Sequence, residues 1–65
     1  MKKYNVFYCR DCAKYGVKDE NGRQVLIRTK QGQKREDSKC YTKYKGVALR
    51  WCENMNNGKY EEWTY

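Results

Sequence analysis

Short runs rich in Tyr, Val, Ile, Thr and Trp alternate along this chain with polar turns, and no apolar stretch is long. Residues 4–9 put Tyr4, Val6 and Tyr8 at every second position, which is the period of a half-buried strand. Asn21-Gly22 and Asn57-Gly58 are pairs that accept the positive φ of tight turns. The first of them predicts a hairpin joining residues 15–19 to a strand at 24–30. Residues 31–38 (QGQKREDS) read as a polar loop. Residues 39–45 and 47–52 are expected to pair across Gly46, and residues 59–65 to form a last strand.

The result is a small β-rich single domain over residues 1–65. It would be zinc-ribbon-like, or an antiparallel meander or barrel of about five short strands. One segment fits two periods. Val47, Leu49 and Trp51 alternate as in a strand, whereas Val47, Ala48, Trp51, Cys52 and Met55 recur at helical spacing with Gly58 just beyond. The strand reading is adopted here, and the alternative is an α+β fold with a short helix at 47–55. The expected core is Val6, Phe7, Val25, Ile27, Leu49, Trp51 and Trp63.

Length sharpens the question of what holds such a fold together. A chain of 65 residues buries only ~60% of its unfolded surface, and chains this short commonly need a staple. The four cysteines are the available one. Cys9-Arg10-Asp11-Cys12 is a C-x2-C pair directly after a predicted strand, and Cys40 and Cys52 follow with 27 and 11 residues intervening. A C-x2-C turn brings two thiolates together, and an all-thiolate tetrahedron is a closed structural zinc site. Cys9, Cys12, Cys40 and Cys52 are therefore the expected ligands of a structural Zn2+. The resemblance to a zinc ribbon is confined to this first knuckle, because a ribbon supplies a second C-x2-C that is missing here.

Whether Cys40 and Cys52 can meet depends on loop parity. An odd loop around Gly46 puts both on one face, whereas a two-residue turn puts them on opposite faces. Two disulfides, or buried free thiols, are the competing readings. Redox work by the C-x2-C pair is a further one, although residues 13–22 do not read as the helix that activates thioredoxin-type cysteines.

Charge adds a partner class. Fifteen Lys and Arg against eight Asp and Glu give +7, and residues 23–45 hold eight of those bases against two acids. Such density attracts polyanions. Seven Tyr, two Trp and one Phe accompany the bases. On a strand, Tyr41, Lys43 and Lys45 share one face. A surface of Arg28, Lys30, Lys34, Arg35, Tyr41, Lys43, Lys45 and Arg50 is thus expected to bind RNA or single-stranded DNA, Tyr41 stacking on a base and the cations holding phosphates. The same residues can serve a surface that only keeps the protein dissolved, or a protein interface. The alternative function is accordingly an interaction protein, encoded by a virus or mobile element, that docks on an acidic surface of a host enzyme or nucleoprotein and inhibits it.

Catalysis is not expected. Histidine is absent, Ser38 is the only serine and no base stands near it in sequence, and Glu61 and Glu62 would face opposite ways on a strand. No phosphate-cradling glycine loop and no small-molecule substrate site is legible. Lys2 and Lys3 lead into no apolar segment, and no run approaches the ~18 residues of a membrane span. The expected compartment is therefore the cytoplasm.

Overall fold

In the computed structural model, which describes residues 3–63, the chain forms two small antiparallel sheets and one helix. Strand β1 (Asn5–Cys9) pairs with β2 (Lys14–Lys18), with Cα partners running from Asn5↔Lys18 to Cys9↔Lys14. β3 (Ile27–Arg28) pairs with β4 (Glu61–Glu62). A single 3-10 turn, Arg35–Asp37, and the helix α1 (Lys45–Asn56) lie between β3 and β4. Isolated bridges Tyr15↔Thr42, Lys18↔Gln24 and Ile27↔Lys39 stitch the connecting segments to the sheets. The architecture is α+β, with four strands among the described residues rather than the five or so expected. Residues 64 and 65 of the expected last strand lie outside the described residues.

The largest correction concerns residues 39–52, where a hairpin across Gly46 was expected. The chain instead enters a helix at Lys45, after Tyr44 in extended conformation (φ −106°, ψ 117°). Burial explains the choice. The helical period turns Ala48 (0% exposed) and Met55 (5%) inward, with Trp51 and Cys52 half-buried beside them. It does so at the expense of Leu49, which is 50% exposed. The strand alternation would have buried Leu49 but turned Ala48 and Cys52 outward. α1 ends in a Schellman turn. Gly58, at φ +77°, donates its N–H to the Met55 carbonyl at 3.3 Å, and Lys59 donates to the Asn54 carbonyl at 2.9 Å. The Asn57-Gly58 signal thus marks a helix end.

The core is Tyr4, Val17, Val25, Ile27 and Met55, with Trp51, Cys52 and Tyr60 against it. Val25 and Ile27 were expected there. Phe7, Val6, Trp51 and Trp63 are only partly buried, and Leu49 belongs to the surface. Tyr4 is the addition that composition did not single out. Its phenol donates to Glu62 Oε2 at 2.8 Å, and burial, reinforced by that carboxylate, pushes its pKa up to about 12. Asn56, in the last turn of α1, clasps the same residue. Its Oδ1 accepts the N–H of Lys3 and of Tyr4, both at 2.9 Å, and its Nδ2 donates to the Tyr4 carbonyl at 3.2 Å. Gly16 is required where β2 crosses under the segment leading to α1. A Cβ there would stand 3.0 Å from the Phe7 ring and 3.1 Å from the Cys40 carbonyl oxygen. The Asn21-Gly22 turn forms as expected, with Gly22 at φ +80° and its N–H on the Asp19 carbonyl at 3.1 Å.

Candidate functional site

Beyond β3 the chain makes a compact loop, residues 29–33, and one side chain builds it. Gln33 Oε1 accepts the Thr29 N–H at 2.8 Å, the Thr29 hydroxyl at 2.8 Å and the Lys30 N–H at 3.2 Å. Its Nε2 donates to the Ile27 carbonyl at 3.4 Å and to the Asp37 carbonyl at 3.0 Å. A single amide therefore satisfies both ends of the loop and ties it to the 3-10 turn. Gly32, at φ +80°, supplies the reversal, and Gln33 N–H donates back to the Lys30 carbonyl at 3.2 Å. Lys30 is thereby held outward on a fixed backbone.

This loop faces the Schellman turn at the end of α1, and the two enclose a cleft of about 400 Å³ lined by Arg28, Thr29, Lys30, Gln31, Gly58, Lys59 and Glu61. Three cations thus meet one carboxylate. Arg28 and Glu61 are cross-strand partners, yet the Arg28 guanidinium lies over the Trp63 ring, 5.1 Å from its centroid. Its Nε donates to the Lys30 carbonyl at 3.4 Å. The remaining N–H donors of the guanidinium lie in its own plane, where an anion can meet them. Trp63 Nε1 is buried and has no hydrogen-bond partner among the described residues. Lys59 was not among the expected site residues. The C-terminal segment is acidic on balance, and only the fold brings its one lysine opposite Lys30.

The remaining expected residues separate. Lys34 caps the 3-10 turn and Arg35 begins it, both exposed. Arg50 stands on the outer side of α1, and Lys45 opens that helix. The single strand face of Tyr41, Lys43 and Lys45 does not exist, because extended structure stops at Tyr44. Tyr41 is half-buried, with its hydroxyl on Gln24 Oε1 at 3.1 Å and its ring edge-on to Phe7 at 6.3 Å. Desolvation and then the neighbouring Cys9, Cys12 and Cys40 thiols raise its pKa. The aromatic left open is Tyr44, 70% exposed between exposed Lys43 and Lys45. Sequence reasoning passed over it because strand parity favoured Tyr41. The Lys-Tyr-Lys triplet itself was the signal.

Cys9, Cys12 and Cys40 all neighbour Tyr41, and Cys52 lies apart from them. Cys9 ends β1, and Cys12 lies in the turn that returns to β2. The Cys12 N–H, the Cys12 thiol and the Asp11 N–H all serve the Cys9 sulfur. They hold its thiol below the ordinary 9.0, against burial and the Asp11 charge, which oppose them, and the Cys12 thiol is raised by giving its hydrogen bond to Cys9. Cys40 sits on the segment crossing Gly16, where its carbonyl accepts Gln24 Nε2 at 3.2 Å. Cys52 lies on α1 and points its thiol at the Tyr4 carbonyl, 3.2 Å away. That carbonyl precedes β1 and Cys9 closes it. Five residues of extended chain, roughly 16 Å at ~3.3 Å per residue, therefore separate the two positions. The structure brings Cys9 and Cys12 together and sets Cys52 at the opposite end of the strand. Among the described residues, no three or more Cys, Asp or Glu converge on a point where they could hold a metal ion.

No helix among the described residues is long and apolar enough to cross a membrane. Comparison with protein families, with curated proteins and with solved structures finds no significant match to this chain.

Proposed function

We propose that this protein is a non-catalytic binder of single-stranded RNA or DNA that holds phosphates in the cleft between the Gln33-braced loop and the end of α1. The observation that carries the reading is the cleft itself, with Arg28, Lys30 and Lys59 lining about 400 Å³ of space against Glu61 alone. A backbone fixed by four hydrogen bonds to one amide, with a fifth to the Thr29 hydroxyl, loses little freedom when a ligand docks, so more of the contact energy appears as affinity. Tyr44 offers a ring for an unpaired base beside Lys43 and Lys45, a combination worth about 1–3 kcal/mol per stacked base. Sequence would be read weakly, since no described group forms a base-edge pocket.

Binding of a uridine or thymidine oligonucleotide, followed by filter retention across a salt series, tests this. Affinity should fall steeply with salt. Lys30→Gln and Lys59→Gln should each reduce the log–log slope by about 0.7, the value for one phosphate contact on a single strand. Tyr44→Ala should weaken binding and leave the slope unchanged. Absence of retention at low salt would overturn the proposal.

A further inference from the structure

Strand β1 keeps one edge open. Val17 gives its carbonyl to the Val25 N–H at 3.0 Å, and Tyr15 exchanges both backbone groups with Thr42 at 2.7 and 2.9 Å. The peptide groups of Val17 and Tyr15 therefore turn away from β1. By the alternation of an antiparallel ladder, those of their partners Val6 and Tyr8 turn away from β2. No backbone group among the described residues receives them. Asn56 ends this open edge at Tyr4. Beside the edge runs a groove of about 660 Å³ between β1 and α1, lined by Tyr4, Val6, Leu49, Cys52, Glu53 and Asn56 together with other asparagines. Glu53 is the only charged residue on its walls. Leu49, 50% exposed, borders the groove, and Tyr8, 51% exposed, shares the face of β1 on which Val6 lies.

We propose that this edge receives a second copy of the chain, the two β1 strands pairing antiparallel about a two-fold axis at Phe7 to give a symmetric dimer with one continuous sheet. That register sets Val6 opposite the partner's Tyr8 and Tyr8 opposite the partner's Val6, and each pair exchanges both backbone bonds. Other centres do worse. An axis at Val6 calls on Tyr4, whose peptide groups Asn56 holds, and an axis at Tyr8 calls on Arg10, which lies past the end of the strand. Opposed residues project to one face, so the partner's Tyr8 comes beside Val6, over the groove and toward Leu49. The same contact forms a second time across the axis, and the exposed Tyr8 and Leu49 cover each other. Arg10 follows Tyr8 and is carried toward the end of the groove that holds Glu53. The groove offers a carboxylate and the arriving strand brings a guanidinium, which is the complementarity that selects another copy of this chain. The far edge of β2 is already taken by Val25 and Thr42, so the pairing closes at two copies. The cleft of Arg28, Lys30 and Lys59 shares no lining residue with the groove, so the two surfaces are separable by mutation.

The test is sedimentation equilibrium of the full chain, freed of nucleic acid, in salt that screens the repulsion between two chains of +7. From about 10 μM to about 1 mM it should show monomer and dimer and nothing larger. In amide hydrogen exchange, protection of Val6 and Tyr8 should rise with protein concentration while that of Thr29 stays constant. Tyr8→Ala and Leu49→Lys should each weaken association by about tenfold or more and leave the circular dichroism unchanged. Glu53→Arg and Arg10→Glu should each weaken it by about tenfold, since each acts at two symmetric places. Arg10→Glu should do so although it lowers the net charge. The double variant Arg10→Glu with Glu53→Arg should return to the parent's affinity. A chain that stays monomeric throughout the concentration range would overturn the proposal. So would open-ended assembly, a dimer whose Val6 and Tyr8 amides exchange as fast as in the monomer, or a double variant no better than the single ones.

Discussion

The loop at residues 29–33 and the turn at residues 10–13 are both short polar reversals that follow a strand, yet they are held in different ways. The first hangs mainly on one side chain, since Gln33 accepts the N–H groups of Thr29 and Lys30 and reaches across to Asp37. The second is fixed from below by five paired positions of β1 and β2. A region fastened by one amide can be dismantled by one substitution. A region fastened by a ladder can lose its side chains and keep its shape. The first arrangement suits a pre-formed docking site.

The strongest way to break the comparison is to remove what lies under the loop. Ile27 is fully buried in β3 and joins the loop to the core. Ile27→Ala should destabilise the fold by about 2–5 kcal/mol, enough in so small a chain to lower the melting temperature by tens of degrees in circular dichroism and to release both regions together. A finer cut is Gln33→Ala. Losing its bonds should cost about 1–3 kcal/mol. In amide hydrogen exchange, protection of Thr29 and Lys30 should disappear while that of Phe7 and Gly16 persists. Oligonucleotide affinity should fall although no cation has been removed. Preserved protection at Thr29 would show that the loop does not depend on the amide.

The smallest effect is alkaline and touches neither region directly. Tyr4 has its pKa raised to about 12 from 10.0, so the folded chain holds the phenolic proton more tightly than the unfolded one. That contribution is complete below pH 10 and is lost as pH rises from about 10 to 12. Denaturant midpoints should decline across that window, and Tyr4→Phe should flatten the decline. The loop and the turn should respond alike, because Tyr4 supports the core common to both.

Much of the frame was legible along the chain, for reasons that can be located. Residues 4–9 read as a strand and β1 forms over Asn5–Cys9, and the glycines of Asn21-Gly22 and Asn57-Gly58 take the positive φ that the pairs signal. The C-x2-C pair does follow a strand. Residues 47–55 were ambiguous because a run of Val, Ala, Leu and Trp satisfies periods of 2 and 3.6 at once. What decides it is the fit of Ala48 and Met55 against the core, a property of partners distant in sequence. The same error moved the expected stacking residue from Tyr44 to Tyr41, since one residue of parity turns a side chain over. Gln33 was invisible. In QGQKREDS it looks like its neighbours, and its role depends on Ile27 and Asp37 converging around it. Lys59 was hidden likewise, in a segment whose local charge is negative.

The Asn56 clasp has one more consequence. By taking the N–H and C=O of Tyr4, its amide satisfies the peptide groups that an incoming strand would need at the start of β1. An unpaired strand edge invites pairing with another molecule and growth into fibrils. Here a single side chain imitates the neighbouring backbone and closes that end of the edge to further strands.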